Sequence, residues 1–161
     1  MESRVDVLIR TLGLAPHPEG GFYREIFRSP LAVRPADGRP QRSALTAIHF
    51  LLVGGGHSRW HRLVSDEFWV HLEGAPVDLW LLRGAPWELE HVRLGGPGGE
   101  GVALRVVPAG TWQAAAPSGA YGLVACFVAP GFEFDDESFM APESVEAGVL
   151  RARWPALAGL I

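Results

Sequence analysis

The sequence predicts an all-β sandwich or barrel, and three observations point to it. Between Ser43 and Phe134, apolar and polar residues form many short runs of strand length, with no helical spacing. Glycine- and proline-rich breaks (GGG, GAP, RGAP, GGPGGEG and PSG) separate those runs. Nor do strands alternate with helical segments, as a parallel βαβ sheet would require.

Taken in order, the chain opens with a short helix. Ser3 can cap it, and Val5, Leu8, Ile9 and Leu12 recur at i, i+3, i+4 and i+7 as one apolar stripe. Gly13 supplies the stop. In APHPEGGFYREIFRS, the prolines and glycines form a turn that His17 and Glu19 are expected to fix, and FYREIF alternates as a strand. The segment PLAVRPADGRPQR reads as an exposed loop or hairpin tip. Strands are then expected at SALTAIHFLL, SRWHRL, EFWVHLE, PVDLWLL, ELEHVRL, ALRVVPA, TWQAAA and GLVACFVA. Asp135 and Asp136 lie near a strand end, either solvated or paired. Past FEFDDESF, the tail APESVEAGVLRARWP is a second short helix, with Val145, Val149 and Leu150 apolar and Pro155 ending it. No internal repeat appears, and one domain over residues 1–161 is expected.

Composition narrows the function classes. The net charge is −4 with scattered basic residues, so no nucleic-acid polymer or anionic membrane face is indicated. No apolar run is long enough to span a bilayer, and MESRVDVLIR lacks the layout of a signal peptide. The single cysteine, Cys126, cannot form an internal disulfide, which fits a reducing cytoplasm. It lies in an apolar strand with no adjacent base and reads as an inert core thiol. The chain contains no lysine and no asparagine. Schiff-base chemistry on lysine and Asn-linked glycosylation are therefore excluded. GGPGGEG joins two strands and lacks a following Lys and helix, so it is a hairpin connection and not a phosphate loop.

The richest stretch is SRWHRLVSDEFWVHLEG. As a strand, EFWVHLE puts Glu67, Trp69 and His71 on one face and Phe68, Val70 and Leu72 on the other. The first face suits a pocket, with an aromatic wall and convergent polar groups; the second suits a packed sheet or subunit contact. His71 reads equally as a pocket residue or a buried structural one. On SRWHRL, His61 shares a face with Leu63.

The run from His61 to Glu67, followed by Gly74, resembles the first cupin motif, and PAGTWQ, with Gln113 in the histidine position, resembles the second. Together HPEGGFYRE, SDEFWVHLEG, VPAGTWQAA and FVAPGFEF are similar to a small single-domain subfamily of RmlC-like cupins with no assigned function. The resemblance implies a cupin jelly-roll barrel (a double-stranded β-helix) with short N-terminal and C-terminal helices. Its metal ligands would fall on His61, Leu63, Glu67 and Gln113. Leu63 cannot bind metal and Gln113 is a weak donor, so no metal or other cofactor is expected. His71 shares a face with Glu67 and could join it on an ion only under strain.

Three readings follow. The first is a metal-independent isomerase or epimerase, with His61 as acid/base and Glu67 as its orienting partner. The second is a non-catalytic module binding a small molecule such as a nucleotide, sugar or flat heterocycle. The third is a metal-dependent oxygenase or isomerase, which the changed ligands disfavour. Tyr23, Glu25, Trp69, His71, Trp112 and Gln113 are the expected ligand-binding residues; Trp69 and Trp112, if inward, would stack on a flat ligand. The alternative for His61 and Glu67 is that they only satisfy each other inside the barrel. Pairing through edge strands predicts a homodimer.

Overall fold

The structure is a computed structural model that describes residues 2–161. Helix α1 spans Arg4–Leu12. The strands are β1 (Ala15–Pro16), β2 (Phe22–Arg28), β3 (Ala32–Val33), β4 (Arg42–Ser43), β5 (Thr46–Val53), β6 (Ser58–Leu63) and β7 (Asp66–Gly74). They continue with β8 (Val77–Arg83), β9 (Glu88–Leu94), β10 (Leu104–Val107), β11 (Trp112–Pro117), β12 (Tyr121–Ala129) and β13 (Glu137–Phe139). Helix α2 spans Val145–Arg153, and a final 3-10 turn runs from Pro155 to Leu160.

Two antiparallel sheets form the body. One has the order β1-β2-β5-β12-β7-β10 and the other β13-β6-β11-β8-β9. From β5 to β13 the chain crosses between sheets at nearly every step, the winding of a jelly roll. The predicted strands and both helices are present; β13, three residues long, was not anticipated.

Alternation decides what lies inside. Ile48 and Phe50 of β5, Val124 and Cys126 of β12 and Trp69 of β7 meet Leu79 and Leu81 of β8 and Ala115 of β11. This apolar plug fills one end of the barrel. At the other end the inward row pairs Thr46 with Val128 and Val128 with Glu67. There the interior opens into a cavity.

The outer faces are covered separately. Ser3 caps α1 in a capping box with Asp6, and Leu8 and Ile9 pack on Leu51 and Leu123 of the larger sheet. The tail crosses the smaller sheet, where Leu150 joins Trp60, Leu82 and Trp112. Trp60 donates its indole N–H to the Leu157 carbonyl at 2.9 Å. The proline-rich segment forms a hairpin, β3–β4, as expected, but it is not wholly exposed. Arg42 at its base is buried, with two 2.8 Å hydrogen bonds to Asp136, and Arg39 adds a third at 2.9 Å. The pair resolves the reading of Asp136, and it ties the chain leading into β13 to the barrel.

Candidate functional site

The cavity has a volume of about 370 Å³. Strands bring four of the expected residues to its wall: His61 on β6, Glu67 on β7, and Tyr23 and Glu25 on β2. Leu63, on the same face as His61, adds an apolar patch. The segments flanking the barrel complete the lining, with His17 and Glu19 before β2, Phe132 and Phe134 after β12, and Glu137 at the start of β13.

The HPEGG turn does more than turn. His17 N–H bonds to the Gly21 carbonyl at 3.1 Å, Gly20 N–H to the His17 carbonyl at 3.0 Å, and Arg59 N–H to the Glu19 carbonyl at 2.8 Å. Gly20 has φ +113°, and a β-carbon there would collide with the His57 carbonyl oxygen, so only glycine allows this approach. The loop is thereby held against β6 and delivers the Glu19 carboxylate into the barrel, where it is buried.

His61 donates from Nε2 to Glu19 Oε2 at 2.8 Å. Its Nδ1 donates to the Arg59 carbonyl at 2.8 Å. With an acceptor on each nitrogen, the ring is held as an imidazolium. Burial alone would lower its pKa, but the charge and hydrogen bond of Glu19, with Glu67 beyond, raise it to about 9. For Glu19, burial pushes the pKa up, yet the His61 charge prevails and holds the carboxylate below its ordinary range. The carboxylate partner of His61 is thus Glu19 and not Glu67, the partner expected from sequence.

Glu67 stands in a different environment. Trp69 Nε1 donates to Gln113 Oε1 at 3.0 Å, which orients the amide so that Gln113 Nε2 donates to Glu67 Oε2 at 2.5 Å. Burial, helped by the Glu19 charge, lifts the Glu67 pKa to about 7 against the opposing pull of His61. Glu137, on β13, is also raised to about 7 by burial and by Glu19. His17 is lowered by burial, with Glu19 opposing. Its Nδ1 accepts the Glu19 amide N–H at 3.2 Å, which leaves the ring proton of the neutral form on Nε2.

Two expected ligand-binding residues lie elsewhere. Trp112 is one residue out of phase with inward Gln113, so it faces outward into the cluster beneath α2. His71 is on the inner face but four residues beyond Glu67, about 13 Å along the strand. There it bonds to the Ala75 carbonyl at 3.1 Å, outside the cavity lining. Trp69 and Gln113 are buried behind Glu67 and support it without lining the cavity.

Carrying the usual cupin metal position onto these residues tests their fit to an ion. His61 has no free lone pair, Leu63 has no donor, and the Gln113 oxygen is committed to Trp69. Glu67 Oε1 alone remains, so the donor set does not fit a metal there.

A family model described as Cupin superfamily (DUF985) matches residues 6–140. The chain belongs to this cupin family. Among solved structures, the cupin is similar to a hypothetical protein from Leishmania major, at 29% identity and TM-score 0.81, covering 97% of this chain and 95% of that one. It is also similar to a protein from Shewanella oneidensis, at 32% identity and TM-score 0.80, covering 99% of this chain and 95% of that one. A mutant oxalate decarboxylase from Bacillus subtilis shares the fold at 13% identity and TM-score 0.55, over 91% of this chain and 37% of that one. No curated protein matches the sequence. The cupin jelly roll with short terminal helices is therefore established, and no helix is long and apolar enough to cross a membrane.

Sequence reasoning missed Glu19 and Glu137. Glu19 carried one usable signal: a carboxylate two residues from an imidazole, before a Gly-Gly pair that lets backbone approach backbone closely. Glu137 carried none, because three strand residues are too few to show alternation.

Proposed function

We propose that this cupin binds a small organic molecule in its barrel cavity, without a metal at the usual cupin position, and acts as an RmlC-like isomerase or epimerase. The carrying observation is Glu67, a buried carboxyl poised near neutral pKa at the wall of an aromatic-lined cavity. In this reading Glu67 exchanges the proton with the ligand. His61, with both nitrogens engaged, positions Glu19 and stabilises negative charge beside the reacting carbon.

Solvent-deuterium exchange into a panel of small hydroxy, keto and amino compounds tests the reading. Exchange that is abolished by Glu67→Gln supports it. Binding without exchange assigns the cavity to a non-catalytic module instead.

We further propose a cytoplasmic homodimer. The outer face of the larger sheet supports it: Phe27, Ala47, Phe127, Phe68 and Val106 form one apolar row across five strands. Phe27 and Phe68 remain 48% and 37% exposed. Light scattering on the protein and on Phe68→Glu is the check; a monomeric parent protein rules the dimer out.

A further inference from the structure

We propose that the cavity takes a small organic cation, with an ammonium or amidinium group seated among the carboxyl groups of Glu19, Glu67 and Glu137. This rests on the small-molecule reading above and deepens it by naming the ligand class.

The first argument is charge. Three carboxyl groups face the interior, and the one cationic side chain set among them, His61, is already engaged. His61 gives its two N–H groups to Glu19 and to the Arg59 carbonyl. At the mouth, Arg28 bonds to Glu25 at 2.9 Å and Glu133 at 2.7 Å, and Arg24 reaches the Leu12 carbonyl at 3.2 Å. Arg59 lies over the Phe139 ring at 3.7 Å and is not part of the lining. Glu67 accepts a hydrogen bond only from the neutral Gln113 amide, and Glu137 makes no side-chain hydrogen bond among the described residues. A ligand carboxylate or phosphate seated in the interior would meet these acids, since the lining arginines, Arg24 and Arg28, stand at the mouth and the chain has no lysine.

The second argument is unused capacity aimed inward. Glu67 is only 6% exposed, and its Oε1 has no partner among the described residues. The His17 side chain is 5% exposed, and no hydrogen bond is made by its Nε2. Both residues line the cavity, so these atoms are open to a ligand that enters it.

The third is shape. About 370 Å³ lies within the range of small-molecule sites, about 300–1,000 Å³, and exceeds what one ion fills. Tyr23, Phe132 and Phe134 make part of the wall aromatic, a lining suited to an organic cation and its carbon skeleton. Donor atoms of His17, Glu19 and Glu137 do lie within 4.8 Å of one another, a spacing that also admits a metal. With His17 Nδ1 taken by an amide N–H and Glu19 Oε2 by His61, an ion would have to use His17 Nε2, Glu19 Oε1 and Glu137, and metal binding measured beside the amines decides between the two ligands.

Calorimetry with matched probes tests the proposal: benzylamine, benzyl alcohol and benzoate, then butylamine, butanol and butyrate, at pH 7. Each amine is expected to bind at least about tenfold more tightly than its alcohol, the worth of one charge-assisted hydrogen bond. Paired buffers of different ionisation enthalpy should show proton release, as the cation drives Glu67 and Glu137 to ionise beside Glu19, His61, His17, Arg59 and Cys126. Glu137→Gln and Glu67→Gln, folded by circular dichroism, should each weaken the amine and leave the alcohol unchanged. An alcohol or carboxylate that equals the amine overturns the cation inference and leaves the small-molecule reading intact. Failure of all six probes at millimolar concentration overturns both. Stronger binding of Ni²⁺ or Zn²⁺ alone, lost in Glu137→Gln, assigns the acids to a metal and also overturns the proposal.

Discussion

Replacing Glu67 with glutamine should stabilise this protein, and by an amount that depends on pH. The ordinary value for the carboxyl is 4.5 and its value in the fold is about 7. The folded state therefore holds this proton more tightly than the unfolded chain. The group's contribution is intact below pH 4.5 and is lost as pH rises through 7. At pH 8 the ionised carboxylate costs about 3 kcal/mol, and at pH 5 about 1 kcal/mol. Glutamine has the same shape, carries no charge, and can still accept the Gln113 N–H on its oxygen. Urea denaturation at both pH values measures the difference. Glu67→Gln should exceed the parent by about 3 kcal/mol at pH 8 and by about 1 kcal/mol at pH 5. An equal gain at the two pH values would refute the reasoning, since Glu67 would then ionise alike in both states.

Other consequences are as direct. Glu19→Gln removes the charge that holds His61 protonated, and burial then dominates; the imidazole pKa, followed by NMR, should fall from about 9 to below 6.5. Asp136→Asn strips Arg42 and Arg39 of their counter-charge, so thermal unfolding should move down by several degrees and hydrogen exchange across β13 should quicken. Leu63→His combined with Glu19→Gln adds an imidazole, frees His61 Nε2 and restores two histidines and a carboxylate. This pair of changes should bind Ni²⁺ by calorimetry at least about tenfold more tightly than Leu63→His alone, in which Glu19 still occupies His61.

The legible parts of the sequence were those that repeat. Alternation along β7 put Glu67, Trp69 and His71 on one face, because every second residue of a strand faces the same side. The same rule put His61 and Leu63 on one face of β6, and the fold brings both, with Glu67, to the cavity wall. Alternation gives a face but no position along the barrel axis, which is why His71 shares a side with Glu67 yet lies beyond the cavity. The phase of TWQAAA was open by one residue, and that residue decides between Trp112 outside and Gln113 inside. Glu19 was invisible for a different reason. Its turn was recognised, but where a turn points depends on what it packs against, here the backbone of His57 to Arg59 some forty residues later.

The departure from the cupin metal pattern then has a structural logic that no single position reveals. A metal ion in a barrel needs several converging lone pairs. An imidazolium needs two acceptors. This chain keeps one histidine of the motif and supplies those acceptors from the Arg59 carbonyl and from a carboxylate outside the motif, on the N-terminal loop. Once Glu19 neutralises His61, the remaining motif acid, Glu67, has no full counter-charge to keep it ionised. Burial then moves it into the range where a carboxyl both gives and takes protons near neutral pH. Leu63 and Gln113 follow from the same change. One fills the vacated ligand position with apolar wall, and the other, locked by Trp69, fixes the direction in which Glu67 presents its free oxygen.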